Sequence, residues 1–117
     1  MLSNFYDKAY ELEKAFRESD DFKTLKELSD KVNADPASKQ LFDSFRSVQM
    51  ELQQKQMSGQ QLTEEEITKA QQQVELIRQH EVIGKLMEQE QRVSMVINDI
   101  NKIILKPLEE IYGNEQK

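Results

Sequence analysis

The chain is 117 residues long, with 37% hydrophobic and 32% charged residues, a composition that suits one domain of long helices with broad solvated faces. It contains no cysteine, which excludes disulfides, thiolate metal sites and cysteine nucleophiles. Its net charge of −6 is spread along the chain without a basic stripe, so we expect no direct binding to nucleic acid.

The first two predicted helices are separated at Ser19. A helix over about Asn4 to Glu18, capped by Asn4, collects its apolar residues on one face. These residues are Phe5, Ala9, Leu12, Ala15 and Phe16. Ser19 and the two acids after it are typical of the start of a second helix, which would continue to about residue 32. One unbroken helix through residues 19–21 is the alternative, because neither Pro nor Gly stands there.

The third helix is predicted to run from Pro36 to Met57. Pro36 favours the first position of a helix and disfavours helical backbone before it, so Asp35 is the expected N-cap. Gly59 is the natural left-handed terminator of this helix. The sequence therefore predicts a sharp start and a sharp end for the third helix.

A capping box begins the fourth helix. Thr63 can accept a hydrogen bond from the Glu66 amide, while the Glu66 side chain reaches back to Thr63. Since only a short loop joins the third and fourth helices, we expect a long antiparallel α-hairpin centred near Gly59.

The direction of the apolar face changes near His80. The apolar residues of the fourth helix point about 140° away from those that follow His80. We favour a break in the helix at residues 78–81; the alternative is one helix that passes between two packing partners. His80, the only histidine, is interpreted as a helix-end residue and not as a catalytic base or metal ligand.

The segment from Val82 to Leu105 carries the widest apolar face of the chain. Twelve of its 24 residues are apolar, and most cover an arc of roughly 200° on a helix. A face this wide predicts contact with more than one neighbour, so we expect it to form much of a homodimer interface. The predicted interface residues are Ile83, Leu86, Met87, Glu90, Val93, Ile97, Ile100 and Ile104.

Glu90 is the one charge inside that face. A buried lone carboxylate is costly, so Glu90 is expected to meet a basic residue on a neighbouring helix or to lie at an edge that reaches water. Further along, Pro107 is predicted to kink or end the helix, with one more apolar turn after it. Residues 1–112 would form a single helical domain, and residues 113–117 a flexible tail.

Motifs of catalysis, cofactor binding and metal binding are missing. The sequence has no phosphate loop, nucleophile elbow or calcium loop, and the consecutive acids Glu64 to Glu66 cannot converge on one ion from a helix. No run of 18 apolar residues suits a membrane span, and residues 1–8 lack the pattern of a signal peptide. We expect a cytoplasmic, non-enzymatic protein without a cofactor, a metal or a membrane contact.

The order of these elements resembles that of the YlbF/YmcA-type small helical bacterial proteins over nearly the whole chain. The resemblance rests on Asp35-Pro36 and on residues 41–46 (LFDSFR), 62–66 (LTEEE), 90–93 (EQRV) and 97–104 (INDINKII). It implies an all-α fold of long helices, dimers or mixed oligomers, and a regulatory or adaptor role. YlbF and YmcA act with a third protein, YaaT, in a complex that influences competence, sporulation, biofilm formation and RNA processing by RNase Y. Iron–sulfur clusters held by cysteines in that complex cannot transfer to a chain without cysteine.

Together these observations predict an all-α bundle of four to five helices that is dimeric through its C-terminal helix. The expected function is that of a protein-interaction or regulatory subunit, with a second copy or other regulatory proteins of the same family as partners. Two alternatives stay open. One is an RNA-associated factor that would need a basic surface built from Arg46, Lys55, Arg78 and Arg92, and the other is a chaperone-like helical module.

Overall fold

The computed structural model describes residues 2–113, and these form five α-helices and no strand. The helices are α1 (Leu2–Glu18), α2 (Asp20–Ala34), α3 (Pro36–Met57), α4 (Glu64–Gln79) and α5 (Glu81–Tyr112). The predicted all-α fold of four to five helices is therefore confirmed, and the described residues form five. Within the described part of the chain, no helix is both long and apolar enough to cross a membrane.

The predicted helix starts at Ser19, Asp35 and Thr63 are confirmed. Each of the three residues has extended backbone, and its side-chain oxygen accepts a hydrogen bond from the amide three residues later. The chain therefore turns at Ser19 and does not form one helix through residues 19–21. The helix break at His80 is confirmed as well, since His80 ends α4 and begins α5 with φ −94° and ψ 112°.

The predicted cap at Asn4 is wrong. Because α1 already begins at Leu2, Asn4 lies inside the helix and does not cap it. Of the two alternatives for Pro107, the one in which it ends the helix is wrong, because α5 continues through Pro107 to Tyr112. A proline removes one backbone donor, and the carbonyl left without it lies on an exposed helix where water can replace the lost bond. Gly113 ends α5 with φ 102°, and residues 114–117 of the predicted tail lie outside the described residues.

The predicted α-hairpin is formed by α3 and α4, which pack against each other across a short loop. Gly59 takes the left-handed conformation at φ 80°, and the Gln60 amide donates to the Lys55 carbonyl over 2.9 Å, which closes the end of α3. The capping box of Thr63 and Glu66 is complete, and Lys55 forms an ion pair with Glu66 across the loop. Local signals in the sequence thus determine this end of the molecule.

The hydrophobic core lies where four helices meet. Its fully buried cluster takes one residue from α2, one from α3, one from α4 and two from α5. These residues are Val32, Phe45, Ile77, Ile83 and Leu86. Helix α2 packs along α5 and also contacts α3, whereas α1 packs only against α2 among the larger helix contacts. The core therefore occupies the α2–α4 end of the molecule and the first part of α5.

Replacing Gly84 by Ala is expected to stabilise the protein by about 0.5–1 kcal/mol. Gly84 lies in the first turns of α5, and an added Cβ would meet no atom within 4 Å. The gain comes from the lower conformational freedom of the unfolded chain. Urea unfolding at a fixed protein concentration measures it, with Gly59→Ala as the matched control. The control should lose stability because Gly59 has φ 80°, and equal effects of both substitutions would contradict the expectation.

Candidate functional site

Helix α5 changes its surroundings along its length. Of the predicted interface residues in its first half, Ile83 is 0% exposed and Leu86 2% exposed, both inside the core of the single chain. Val93 is also buried, and Met87 is half-buried against the core cluster. The structure thus places the first half of the predicted interface within one chain.

The second half of α5 leaves the core and exposes its apolar side chains. Every residue from 101 to 112 is exposed. Five residues lie on one side of this segment at spacings of three and four, and they are called the distal face: Ile97, Ile100, Ile104, Leu108 and Ile111. Ile100 is half-buried, whereas Ile97 is 40%, Ile104 54% and Ile111 72% exposed. The distal face continues the line of the buried half, and its side chains between residues 101 and 112 are exposed.

Helix α1 carries a second uncovered apolar face. Phe5, Ala9, Leu12 and Phe16 follow each other at spacings of four, three and four, and they are called the α1 face. Every residue from 3 to 15 is exposed, and only the end of the helix is packed, where Phe16 lies 5.2 Å from Phe22 between ring centres. Helix α1 therefore projects from the body of the molecule.

The overall dimensions agree with these uncovered faces. The chain has a radius of gyration of 18.9 Å, compared with about 13 Å for a compact domain of its length. Its accessible surface is 9688 Å², about 3,000 Å² more than a compact monomer of 13.8 kDa exposes. A large homodimer interface buries about 1,000–2,500 Å² or more on each partner, so this excess matches only the upper end of that range.

Glu90 forms an ion pair with Arg46 of α3, as expected for a charge that meets a basic residue on a neighbouring helix. The Arg46 guanidinium also lies 4.7 Å from the centre of the Phe42 ring. The Glu90 side chain is 33% exposed, so it still reaches water. This pair joins α3 to α5 just before the distal face begins.

A second polar contact holds α5 to the start of α2. The Gln89 amide nitrogen donates to the Asp21 carbonyl over 2.9 Å, and Arg92 Nε donates to the Asp21 carboxylate over 3.0 Å. These bonds fix the point at which α5 leaves the core. The sequence offered no signal for them, because 68 and 71 residues separate the partners.

Ser38 links the helix breaks at Asp35 and His80. His80 Nδ1 accepts from the Ile83 amide over 3.2 Å, which leaves Nε2 as the donor to Ser38 Oγ over 2.7 Å. Ser38 Oγ in turn donates to the Asp35 carboxylate over 2.6 Å, and this bond lowers the pKa of Asp35 below its ordinary value. His80 is therefore a helix-end residue, as predicted, with a partner that the sequence did not reveal.

The order of groups in this chain of hydrogen bonds differs from that of a serine nucleophile. The hydroxyl of a catalytic serine donates its hydrogen bond to histidine. The Ser38 hydroxyl instead donates a hydrogen bond to Asp35 and accepts one from His80. Ser38 is only 4% exposed, so a substrate carbonyl has no access to its oxygen. The described residues also include no group of three acids or histidines able to hold a metal ion.

Replacing Ser38 by Ala is expected to lower the free energy of unfolding by about 1–3 kcal/mol, because the His80 donor then loses its acceptor in a half-buried position. Chemical denaturation measures the loss. Ser47→Ala is the matched control, since Ser47 lies on the same helix and is exposed. Equal stabilities of the two variants would show that the hydrogen bonds of Ser38 contribute nothing.

The RNA-binding alternative requires a basic surface built from four basic residues. In the structure, each of the four lies within 4 Å of a carboxylate. The pairs are Arg46–Glu90, Lys55–Glu66, Arg78–Glu75 and Arg92–Asp21. The hydrogen bond from Lys55 also lowers the pKa of Glu66 below its ordinary value, so this acid stays ionised. Paired charges of this kind cancel much of the long-range attraction that a nucleic acid would feel.

A model of the family "Control of competence regulator ComK, YlbF/YmcA" matches residues 5–109 of this chain. Among curated proteins, the UPF0342 protein RBAM_010030 of Bacillus velezensis is 58% identical over 116 residues, covering 99% of this chain and 100% of that protein. The UPF0342 protein YheA of Bacillus subtilis is also 58% identical, over 114 residues and 97% of each chain.

Two solved structures share the fold. A protein of unknown function (DUF964) from Bacillus stearothermophilus superposes with a TM-score of 0.80 and 35% identity, covering 93% of this chain and 96% of the other. YheA from Bacillus subtilis superposes with a TM-score of 0.70, covering 92% of this chain and 98% of the other. The sequence identity over that superposition is 48%.

Proposed function

The chain belongs to the YlbF/YmcA family, described as controlling the competence regulator ComK, and from this premise we propose a regulatory subunit that works through protein contacts and not through catalysis. In this proposal the chain associates with a second copy of itself through the distal face of α5. Other regulatory proteins of the same family are the further partners that the same face suits.

The observation that carries this proposal is the distal face itself. It presents Ile97, Ile104, Leu108 and Ile111 to solvent along about 21 Å of helix. Uncovered apolar area on this scale costs free energy in water, and a partner helix with apolar residues at the same spacing removes the cost. The excess of about 3,000 Å² in accessible surface supports a large interface over a small transient one.

The non-enzymatic part of the proposal is supported by the polar groups. The only histidine points its nitrogens at Ile83 and Ser38. The relatives carry family names without an enzymatic activity. A protein of this kind acts by occupying or presenting a surface, and the distal face is the surface that this chain offers.

The mass of the protein in solution tests the proposal directly. We expect size-exclusion chromatography with light scattering to give twice the chain mass of 13.8 kDa at micromolar concentration. The physical reason is that exposed isoleucine and leucine side chains leave water when the two distal faces are covered. A homogeneous species of single-chain mass across that concentration range would contradict self-association.

A further inference from the structure

We infer that the segment covering the distal face is helix α1 of a second copy, in a reciprocal exchange that buries both uncovered faces at once. This inference rests on the proposed self-association and adds that α1 of one copy contacts the distal face of α5 of the other.

The two faces match in spacing and length. The α1 face repeats at four, three and four residues, and the distal face at three, four, four and three. Helices with such repeats pack with the side chains of one between those of the other. The 17 residues of α1 span about 25 Å, and the stretch from Ile97 to Ile111 spans about 21 Å, so one helix can cover the other from end to end.

The composition of α1 is that of a buried helix. Phe5, Tyr6, Tyr10 and Phe16 are half of the eight aromatic residues of the chain, although α1 has 17 of its 117 residues. Phe5 is 59% and Tyr10 68% exposed in the single chain. Aromatic side chains are enriched in the cores of protein interfaces, where they bury a large area at low entropic cost. Helix α1 thus has the side chains of an interface, and three of its four aromatic residues, Phe5, Tyr6 and Tyr10, are exposed in the single chain.

Pairing of α5 with α5 alone would leave the α1 face in water. A helix of 17 residues attached at one end is only marginally stable by itself, so α1 gains most from a partner along its whole length. In a reciprocal exchange, α1 of each copy packs on α5 of the other. The two equivalent contacts are related by a two-fold axis, and together they cover the α1 face and the distal face of both copies. The paired α1–α5 contacts therefore bury more apolar area than contact between the two α5 helices.

The corner at Ser19 argues against α1 folding back onto α5 of its own chain. Ser19 Oγ accepts from the Phe22 amide over 3.2 Å and donates to the Phe16 carbonyl over 2.6 Å. The rings of Phe16 and Phe22 are in contact across the same corner. These bonds fix the direction in which α1 leaves the body, so the occupant of the distal face comes from the second copy.

Disulfide trapping tests the exchange, because the chain contains no native cysteine. A chain with Ala9→Cys on the α1 face is mixed with a differently sized, tagged chain that carries Ile97→Cys, Asn101→Cys or Leu108→Cys. All of these positions except Ile97 lie in fully exposed stretches, and Ile97 is 40% exposed, so each substitution leaves the core intact. Mild oxidation should give a mixed, reducible dimer for at least one of the three pairs. The control pair uses Met95→Cys, on the side of α5 opposite the distal face, and should give none.

Each other outcome overturns the exchange in a distinct way. If the α5 cysteines cross-link only with each other, the two α5 helices pair directly. If a chain with both Ala9→Cys and Asn101→Cys closes a disulfide within itself at high dilution, α1 folds back on its own chain. If the light-scattering mass is that of a dimer but no mixed cross-link forms, the exchange fails while self-association stands. A light-scattering mass equal to that of a single chain would contradict both the self-association and the exchange.

Discussion

Replacing Leu86 by Ala is expected to lower the free energy of unfolding by about 2–5 kcal/mol. Leu86 is 2% exposed and lies in the same buried cluster as Val32 and Ile83. The smaller side chain loses the transfer free energy of the removed carbons and leaves a cavity that neighbouring helices fill only in part. For a domain with 5–15 kcal/mol of total stability, the loss is a large share.

Thermal and urea unfolding of Leu86→Ala measure this loss, with Leu76→Ala as the matched control. Leu76 lies on α4 and is 51% exposed, so the same chemical change should cost much less there. The loss for Leu86→Ala should also stay constant when the protein concentration is varied. A loss that grows on dilution would mean that Leu86 stabilises a contact between chains and not the core of one chain.

Replacing Ile104 by Glu is expected to convert the dimer into single chains whose buried core of α2 to α5 stays folded. Ile104 is 54% exposed and lies in the stretch of α5 that makes no buried contact in one chain, so a charge there does not disturb the core. In the dimer the same carboxylate would be buried without a partner, which costs several kcal/mol. A loss of only about 2.7 kcal/mol would raise the dissociation constant about 100-fold.

Light scattering over a concentration series, with circular dichroism for helix content, measures the effect of Ile104→Glu. Met95→Glu is the matched control, because Met95 is 66% exposed on the opposite side of the same helix. That variant should keep the mass of wild type. The proposed interface would be refuted if Ile104→Glu and Met95→Glu behaved alike.

The sequence predicted the helix starts and the hairpin well, because the signals for them are local. A cap needs only a side chain and an amide three residues later, as at Ser19, Asp35 and Thr63. Pro107 shows the limit of local signals. Proline is unfavourable inside a helix, yet on an exposed segment the loss of one hydrogen bond does not end α5.

The sequence predicted only part of the contacts that Ser38 and Glu90 make. Capping by Asp35 suggests a bond to the Ser38 amide, but the bond from His80 joins residues 42 positions apart. For Glu90, the cost of an unpaired charge predicted a basic partner without saying which one, and the arrangement of the helices brings Arg46 of α3 to it. The free-energy cost of burying an unpaired charge predicts that a partner exists. Only the arrangement of the helices identifies which residue it is.

By itself, the sequence determined which segments are helical, where most of them begin and end, and which side of each is apolar. Periodicity reports the face that must leave water, but it does not report what covers that face. Only the tertiary structure decided that Ile83 and Leu86 at the start of α5 are covered by α2 and its neighbours in the same chain. The same apolar line is uncovered from Ile104 onward, because α5 extends past the point at which Asp21 holds it to α2.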